Sequence, residues 1–249
     1  MPCRSMSGPD GARPHTDASD NAATGTRERC DPTVQRLLGH PHLGRLVQPR
    51  SWNAIGNIAA SGAPWAADND ALARINPDAY LGMLDRIAAV ERTRLLFVTV
   101  PDAVEVLADG SIRGDWSATC WLWKAWRGAV SRRGLPAALV AQDGATVDSV
   151  PWHELNALFI GGSDHFKEGL AAASLIRAAK QRGLWVHVGR VNSERREKLL
   201  LPLGVDSFDG GQYSRFSERY LGPCLQRLAV QQARLALVDE DDDRHAESR

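Results

Sequence analysis

Five acidic or amide side chains stand where predicted strands end, and their types suit acid–base or glycosyl chemistry. Each follows a short apolar run directly or lies in the turn after it, and the five are Asp68, Asp102, Gln142, Asp206 and Asp209. Any single aspartate there also serves as a turn residue or as the N-cap of the next helix. The set favours a shared site, because loops after parallel strands gather on one face of a barrel.

The elements that must position these side chains are short apolar strands alternating with helices. The runs are near-continuous and rich in β-branched residues, as in strands buried on both faces of a parallel sheet. They include residues 95–100, 137–141, 158–160, 185–188 and 205–208. Amphipathic segments of helical length separate several of them, which predicts an α/β fold of repeated strand–loop–helix units. An eighth strand is not evident in the sequence.

Helix starts and tails follow from local composition. Asn76, Asp115 and Ser193 are placed as N-caps, and Asp164 opens a further helix that is expected to continue to Gly183. Residues 1–32 contain almost no bulky apolar groups, so we expect a disordered segment there. Residues 33–238 form the expected barrel domain, and residues 239–249 form an acidic, solvated tail.

Composition narrows the class of protein. The chain has 249 residues, a formal net charge of zero, 43% hydrophobic residues and 24% charged residues, which is typical of a soluble globular protein. No overall basic charge draws in nucleic acid, so such binding needs a local patch. The four cysteines are far apart, which argues against a zinc module or a disulfide scaffold and indicates a reducing cytoplasm. No apolar run is long enough for a membrane span.

Glycines and arginines accompany the candidate site. Gly161-Gly162 follows the run at 158–160, and its backbone would let a flat ligand approach closely, although a tight turn explains it equally well. Several basic residues lie near the last candidate acid in sequence and could hold phosphates, although a solvated helix face is an equal alternative. These residues are Arg190, Arg195, Arg196 and Arg215.

The segment after the fourth of these runs resembles a known enzyme family. Gly189-Arg190-Val191-Asn192-Ser193, followed by Gly204-Val205-Asp206-Ser207-Phe208-Asp209-Gly210, is similar to the C-terminal half of the tRNA-guanine transglycosylase superfamily. The short phage and bacterial branch, the 7-deazaguanine DNA transglycosylases, is the nearer likeness, over roughly residues 64–216. The resemblance implies a TIM (β/α)8 barrel. It also implies a pentosyltransferase that exchanges guanine for 7-deazaguanine through a covalent glycosyl–enzyme intermediate.

The resemblance also implies roles for the candidate residues. Asp209, the second acid of a Gly-x-Asp-x-x-Asp motif, matches the family's nucleophile, and Asp68 matches its acid/base aspartate. Asp206, the first acid of that motif, is expected beside the substrate, where it supports the strand end. The expected base-binding residues are Asp102, Gln142, Gly161 and Gly162.

The expected partners are nucleic acid and a free 7-deazaguanine base, with no cofactor and no metal. DNA is favoured over tRNA, because the Cys-rich zinc site and C-terminal extension of the tRNA enzymes are missing. Asp68 is followed by Asn-Asp-Ala instead of the family's Ser-Gly-Gly-Phe. Two alternatives therefore stay open, an N-glycosidic hydrolase and a non-catalytic barrel that binds nucleotides or nucleic acid.

Overall fold

Seven parallel strands form one curled sheet in the computed structural model of the chain, which describes residues 40–230. The strand order is β1-β2-β3-β6-β7-β8-β9, so each strand pairs with the next one along the chain apart from an inserted hairpin, β4–β5. The strands are β1 Arg45–Val47, β2 Trp65–Ala67, β3 Leu95–Thr99, β4 Val104–Val106, β5 Ile112–Gly114, β6 Ala137–Ala141, β7 Ala157–Ile160, β8 Trp185–Val188 and β9 Ser207–Phe208. The predicted α/β fold of the TIM-barrel type is confirmed, as a seven-stranded half-barrel. The predicted tails at 1–32 and 239–249 lie outside the described residues.

Helices connect most of the strands. They are α1 Ile55–Ala60, α2 Pro77–Ala88, α3 Trp116–Ser131, α4 Asp164–Lys167, α5 Leu170–Lys180, α6 Glu194–Leu200, α7 Gly211–Arg215 and α8, which covers residues 217–230. Short 3-10 turns add Pro49–Ala54, Ala71–Ala73, Val147–Ser149, Trp152–Glu154 and Leu201–Leu203. Within residues 40–230, none of the helices has both the length and the apolar character needed to cross a bilayer.

The predicted caps account for three helix starts. The Asn76 side chain accepts the N–H of Ala79 at 3.0 Å, and Asp115 accepts that of Ala118 at 2.9 Å. Ser193 likewise accepts the backbone N–H of Arg196. The helix expected from Asp164 is different, because Ser163 is its N-cap and the helix breaks after Lys167, before α5 begins.

Alternation along the strands separates two apolar layers. On one face of the sheet, Val98, Leu139 and Val186 belong to the main core, which also contains Tyr80 of α2 and Leu175 of α5. The opposite, inner face carries a smaller cluster whose members are Ala66, Phe97, Ala138, Val140, Ala157 and Phe159. Because successive residues of a strand point to opposite faces, each strand supplies both layers. The inner layer lies beneath the candidate site.

The hairpin β4–β5 is an element that the sequence analysis did not predict. Its strands pair in antiparallel fashion from Val104↔Gly114 to Val106↔Ile112. Asp109 Oδ1 accepts the backbone N–H of Ser111, and Gly110 has a φ of 78°, a value that favours glycine. The Asp-Gly pair between β-branched residues is a hairpin signal that the sequence does contain.

Candidate functional site

A cavity of about 140 Å³ lies at the C-terminal ends of the parallel strands. Its apolar wall includes Val140 and Phe159, and Val104 and Ile112 of the hairpin also line it. The polar residues that line it are Gln48, Asp68, Asn69, Asp102, Gln142, Arg190 and Asp209. This mouth pocket, as we call it, is therefore rich in acids and amides and has an apolar wall.

Strand alternation explains why four of these side chains, those of Gln48, Asp68, Gln142 and Asp209, converge. In β6 the inner residues are Ala138 and Val140, and the next residue of that parity is Gln142. In β9, Ser207 bonds to the inner-face histidine of β8, and the next residue of its parity is Asp209. A residue that directly follows a strand and continues the alternation of its inward-facing side chains thus points into the mouth. The same rule connects Ala66 with Asp68.

Asp102 lies at the buried side of the pocket and is held by two amides. Asn69 Nδ2 donates to its Oδ1 at 2.7 Å, and Gln142 Nε2 donates a short hydrogen bond to its Oδ2. Burial raises the pKa of Asp102 to about 7, and the nearby Asp68 carboxylate adds to that rise, whereas the two amide hydrogen bonds oppose it. Asp102 therefore changes protonation state near neutral pH.

Asp68 is a second acid with an altered environment. Gln48 Nε2 donates to its Oδ2 at 3.2 Å, and the backbone N–H of Asn69 donates to its Oδ1 at 2.9 Å. Desolvation raises the pKa of Asp68, and the charge of Asp209 also raises it, while the Gln48 hydrogen bond lowers it. Asp209 is thus close enough for its charge to act on the Asp68 carboxyl group.

Asp209 is oriented by a histidine and by the backbone. His187 Nε2 lies 3.0 Å from Asp209 Oδ2, and the N–H of Arg190 donates to Asp209 Oδ1 at 3.1 Å. The His187 ring is buried between two phenylalanines, with centroid distances of 5.1 Å to Phe97 and 4.6 Å to Phe159. The Asp209 side chain thus has a defined direction at the mouth.

Glycines leave the space that the pocket occupies. A Cβ on Gly161 would lie 2.7 Å from Val140 Cγ1, and one on Gly189 would lie 2.7 Å from the Phe159 ring. Both distances are shorter than real Cβ contacts, so a side chain at either position would force the wall to move. Gly162 has a φ of 72°, which also favours glycine.

The predicted site residues divide into two groups. The pocket is lined by Asp68, Asp102, Gln142, Gly161, Gly162, Arg190 and Asp209. Asp206 does not line it, because its carboxylate accepts from Lys180 Nζ and from the Val186 N–H, both at 2.7 Å. Asp206 thereby ties the start of β8 to the chain before β9.

The predicted phosphate-binding arginines divide in the same way. Arg190 lines the pocket and donates to the carbonyl of Gly162 at 2.5 Å. Arg195 pairs with Glu168, and Arg196 pairs with both Glu168 and Asp164, so these two guanidinium groups bind protein carboxylates. Arg215 is exposed and does not line the pocket.

Sequence reasoning missed Gln48, Asn69 and His187. Gln48 directly follows β1, and a polar residue at a strand end is the signal that identified the other candidate residues. Asn69 is 1% exposed and bonds to Val100 O as well as to Asp102, which its position beside Asp68 does not reveal. His187 lies inside a strand, where no motif distinguishes it from a core residue.

Among residues 40–230, no three His, Cys, Asp or Glu side chains are grouped to hold a metal ion.

Comparison with known proteins yields structural likeness alone. No protein-family model matches the chain, and no curated protein matches it. Solved structures do match. One is a phosphodiesterase, PaMucR, in complex with c-di-GMP. It is 16% identical to this chain, the match covers 65% of this chain and 67% of that chain, and the TM-score is 0.38. The BlrP1 calcium and c-di-GMP complex of Klebsiella pneumoniae has 15% identity, covers 77% of this chain and 45% of that one, and has a TM-score of 0.41. The FimX EAL domain of Xanthomonas citri with c-di-GMP has 15% identity, covers 65% and 64%, and also has a TM-score of 0.41.

These findings correct the family expected from the sequence. The solved structures described above are c-di-GMP complexes and none is a transglycosylase, so the resemblance to the tRNA-guanine transglycosylase superfamily was wrong. The expected pentosyltransferase activity and the expected partners, nucleic acid and a free 7-deazaguanine base, are wrong with it. The two alternatives were framed as relatives of that family, an N-glycosidic hydrolase and a form of the same barrel without turnover, and they are wrong for the same reason. The short motif at 204–210 misled because an acid after a strand and before glycines is a common local arrangement. Similarity this low shows nothing of activity, so function has to be argued from the pocket.

Proposed function

We propose that the mouth pocket binds a guanine-containing cyclic dinucleotide by enclosing one of its bases. The observation that carries this proposal is the array of acceptors on the buried side of the pocket. Asp102 is 8% exposed, and its carboxyl group is held by Asn69 and Gln142. The Oε1 atom of Gln142 is buried with no hydrogen-bond partner among the described residues. A ligand that brings N–H donors offsets the cost of burying these acceptors.

Guanine offers the matching donors. Its N1–H and its exocyclic amine lie side by side, so a single carboxylate can accept from both in a bidentate, charge-assisted contact. Adenine presents an acceptor, N1, at the equivalent position, so two acceptors would face each other across the contact with the Asp102 carboxylate. The site therefore favours guanine over adenine.

The size of the cavity limits what it encloses. Its volume is about 140 Å³, close to the roughly 150 Å³ engineered cavity that holds one benzene ring. One base edge and ring fit against Val140 and Phe159, while the sugars, the phosphates and the second base stay at the open mouth. Arg190, which lines the pocket, is the candidate phosphate contact, and Asp68 and Asp209 are candidate acceptors for ribose hydroxyl groups.

Cyclic di-GMP is the first ligand to test, since it carries two such bases and is present in the matched structures described above. The pocket chemistry supports the proposal, which covers binding only.

We also propose a cytoplasmic location, because Cys120 and Cys224 are free thiols in the structure.

The experiment is a calorimetric titration of cyclic di-GMP into the purified chain and two variants. Asp102→Asn removes the charged acceptor and is expected to weaken binding by about 10- to 100-fold. Asp85→Asn is the matched control, because Asp85 is exposed, pairs with Arg133, and neither of these two residues lines the pocket. Its affinity should equal that of the wild type. Wild-type affinity in the Asp102→Asn variant, or no binding by the wild type, would overturn the proposal.

A further inference from the structure

We infer that His187 is a positioning residue, held in one tautomer by a hydrogen-bond chain so that it fixes the Asp209 carboxylate toward the ligand. This inference rests on the proposed function for its effect on binding, but not for the tautomer itself. The chain of contacts runs from Trp185 through Ser207 and His187 to Asp209.

The two strands bring the four side chains together through register and alternation. His187 of β8 is the direct parallel-register partner of Ser207 of β9. Trp185 lies two residues before His187, and Asp209 lies two residues after Ser207, so all four share the inner face of the sheet. The contacts therefore zigzag between neighbouring strands and end at the mouth pocket.

The direction of the chain follows from which atoms are able to donate. The indole Nε1–H of Trp185 is a donor only, and it donates to Ser207 Oγ at 2.9 Å. At the other end, the Asp209 carboxylate is an acceptor only, so the ring proton lies on His187 Nε2, which donates to Asp209 Oδ2 at 3.0 Å. In that tautomer Nδ1 is an acceptor, and the Ser207 hydroxyl, 2.8 Å away, donates its proton to it.

Packing keeps the ring from turning away from this arrangement. His187 is 5% exposed and lies against Phe97 and Phe159. With Oδ2 bound to His187 and Oδ1 bound to the Arg190 N–H, Asp209 cannot rotate about its side-chain bonds without losing a contact. Its remaining lone pairs are then directed at a ligand hydroxyl or N–H group before the ligand arrives, which lowers the ordering cost of binding.

The first test reads the tautomer without any ligand. In protein labelled with ¹⁵N at histidine, His187 Nδ1 should resonate as an unprotonated, pyridine-type nitrogen and Nε2 as a protonated, pyrrole-type nitrogen. Ser207→Ala removes the donor to Nδ1 and should shift that resonance, while His153, whose side chain is 85% exposed, gives the reference spectrum of a ring in solvent. A wild-type His187 that carries its proton on Nδ1, or on both nitrogens, overturns the inference.

The second test reads the effect on Asp209 through cyclic di-GMP affinity. His187→Phe keeps an aromatic ring between the phenylalanines and removes the donor, and it should weaken binding about ten-fold. His187→Gln restores a donor near Asp209 and should recover most of that loss. In the Asp209→Asn background, His187→Phe should have no further effect, because the two residues act as one unit.

Additive losses in that double-mutant cycle, or wild-type affinity in His187→Phe, would contradict the positioning role. Circular dichroism and thermal melting must show that the variants are folded. If the wild type fails to bind cyclic di-GMP while the tautomer is as expected, the proposed function falls but the hydrogen-bond chain stands.

Discussion

Replacing Asp102 with asparagine should change how the stability of the protein depends on pH. Burial raises the pKa of Asp102 from 3.8 to about 7 in the folded chain. Between those two values the folded state holds a proton that the unfolded state has released. Linkage then requires the free energy of unfolding to fall as pH rises through this window, and the loss is complete above the folded pKa.

The size of the effect follows from the same two pKa values. For a folded pKa of about 7, the linkage relation gives a loss of about 2–3 kcal/mol between about pH 5 and about pH 8. The asparagine side chain that Asp102→Asn introduces carries no charge at any of these pH values, so this variant should not show this loss. The Gln142 amide can turn to present Oε1 to the new amide group, so the variant keeps a hydrogen bond.

The assay is urea unfolding of the wild type and Asp102→Asn at several pH values, with Asp85→Asn as the control. The stability of Asp102→Asn relative to the wild type should increase by about 2–3 kcal/mol from about pH 5 to about pH 8. Asp85 is 66% exposed, and its variant should keep a constant offset from the wild type. A constant offset for Asp102→Asn would refute the claim that this carboxyl group is buried at a cost.

Three further predictions concern packing and binding. Gly189→Ala places a methyl group against the Phe159 ring and should destabilise the fold by about 1–3 kcal/mol in thermal melts, whereas Gly56→Ala, in an exposed helix with open space around it, should not. Tyr80→Phe removes a buried hydrogen bond of 2.7 Å to a strand carbonyl and should cost about 1 kcal/mol, measured by urea unfolding. Cyclic di-GMP affinity should increase from about pH 6 to about pH 8 as Asp102 ionises, by up to about ten-fold, and an affinity that falls over this range would contradict the bidentate contact.

The fold could be predicted from the sequence because its signals are local and repeated. Buried parallel strands have apolar runs that alternate with amphipathic helices, and helix starts such as Asn76 and Asp115 have capping side chains whose chemistry is independent of the rest of the chain. The strand-end position of Asp102 and Gln142 followed from the same pattern. Convergence at one mouth is a property of parallel sheets in general.

The rest of the site depends on contacts between residues far apart in sequence. Asn69 acts through Asp102, 33 positions away, and His187 acts through Asp209, 22 positions away. Neither partner can be identified before the strand register is known. For Asp206 the sequence predicted a place in the site that the structure does not show. It belongs to the same motif as Asp209, but it lies outside the pocket and accepts a hydrogen bond from Lys180. Motif likeness placed both acids at the substrate, whereas inner-face parity separates them.

The most direct measurement of the central claim compares three cyclic dinucleotides in one calorimetric series with the wild-type chain. If Asp102 accepts from N1–H and the exocyclic amine, cyclic di-GMP should bind best, and the inosine analogue, which lacks that amine, should bind about ten-fold more weakly. Cyclic di-AMP should be weaker again, because its N1 is an acceptor. Equal affinity for all three ligands, or a preference for cyclic di-AMP, would contradict the account.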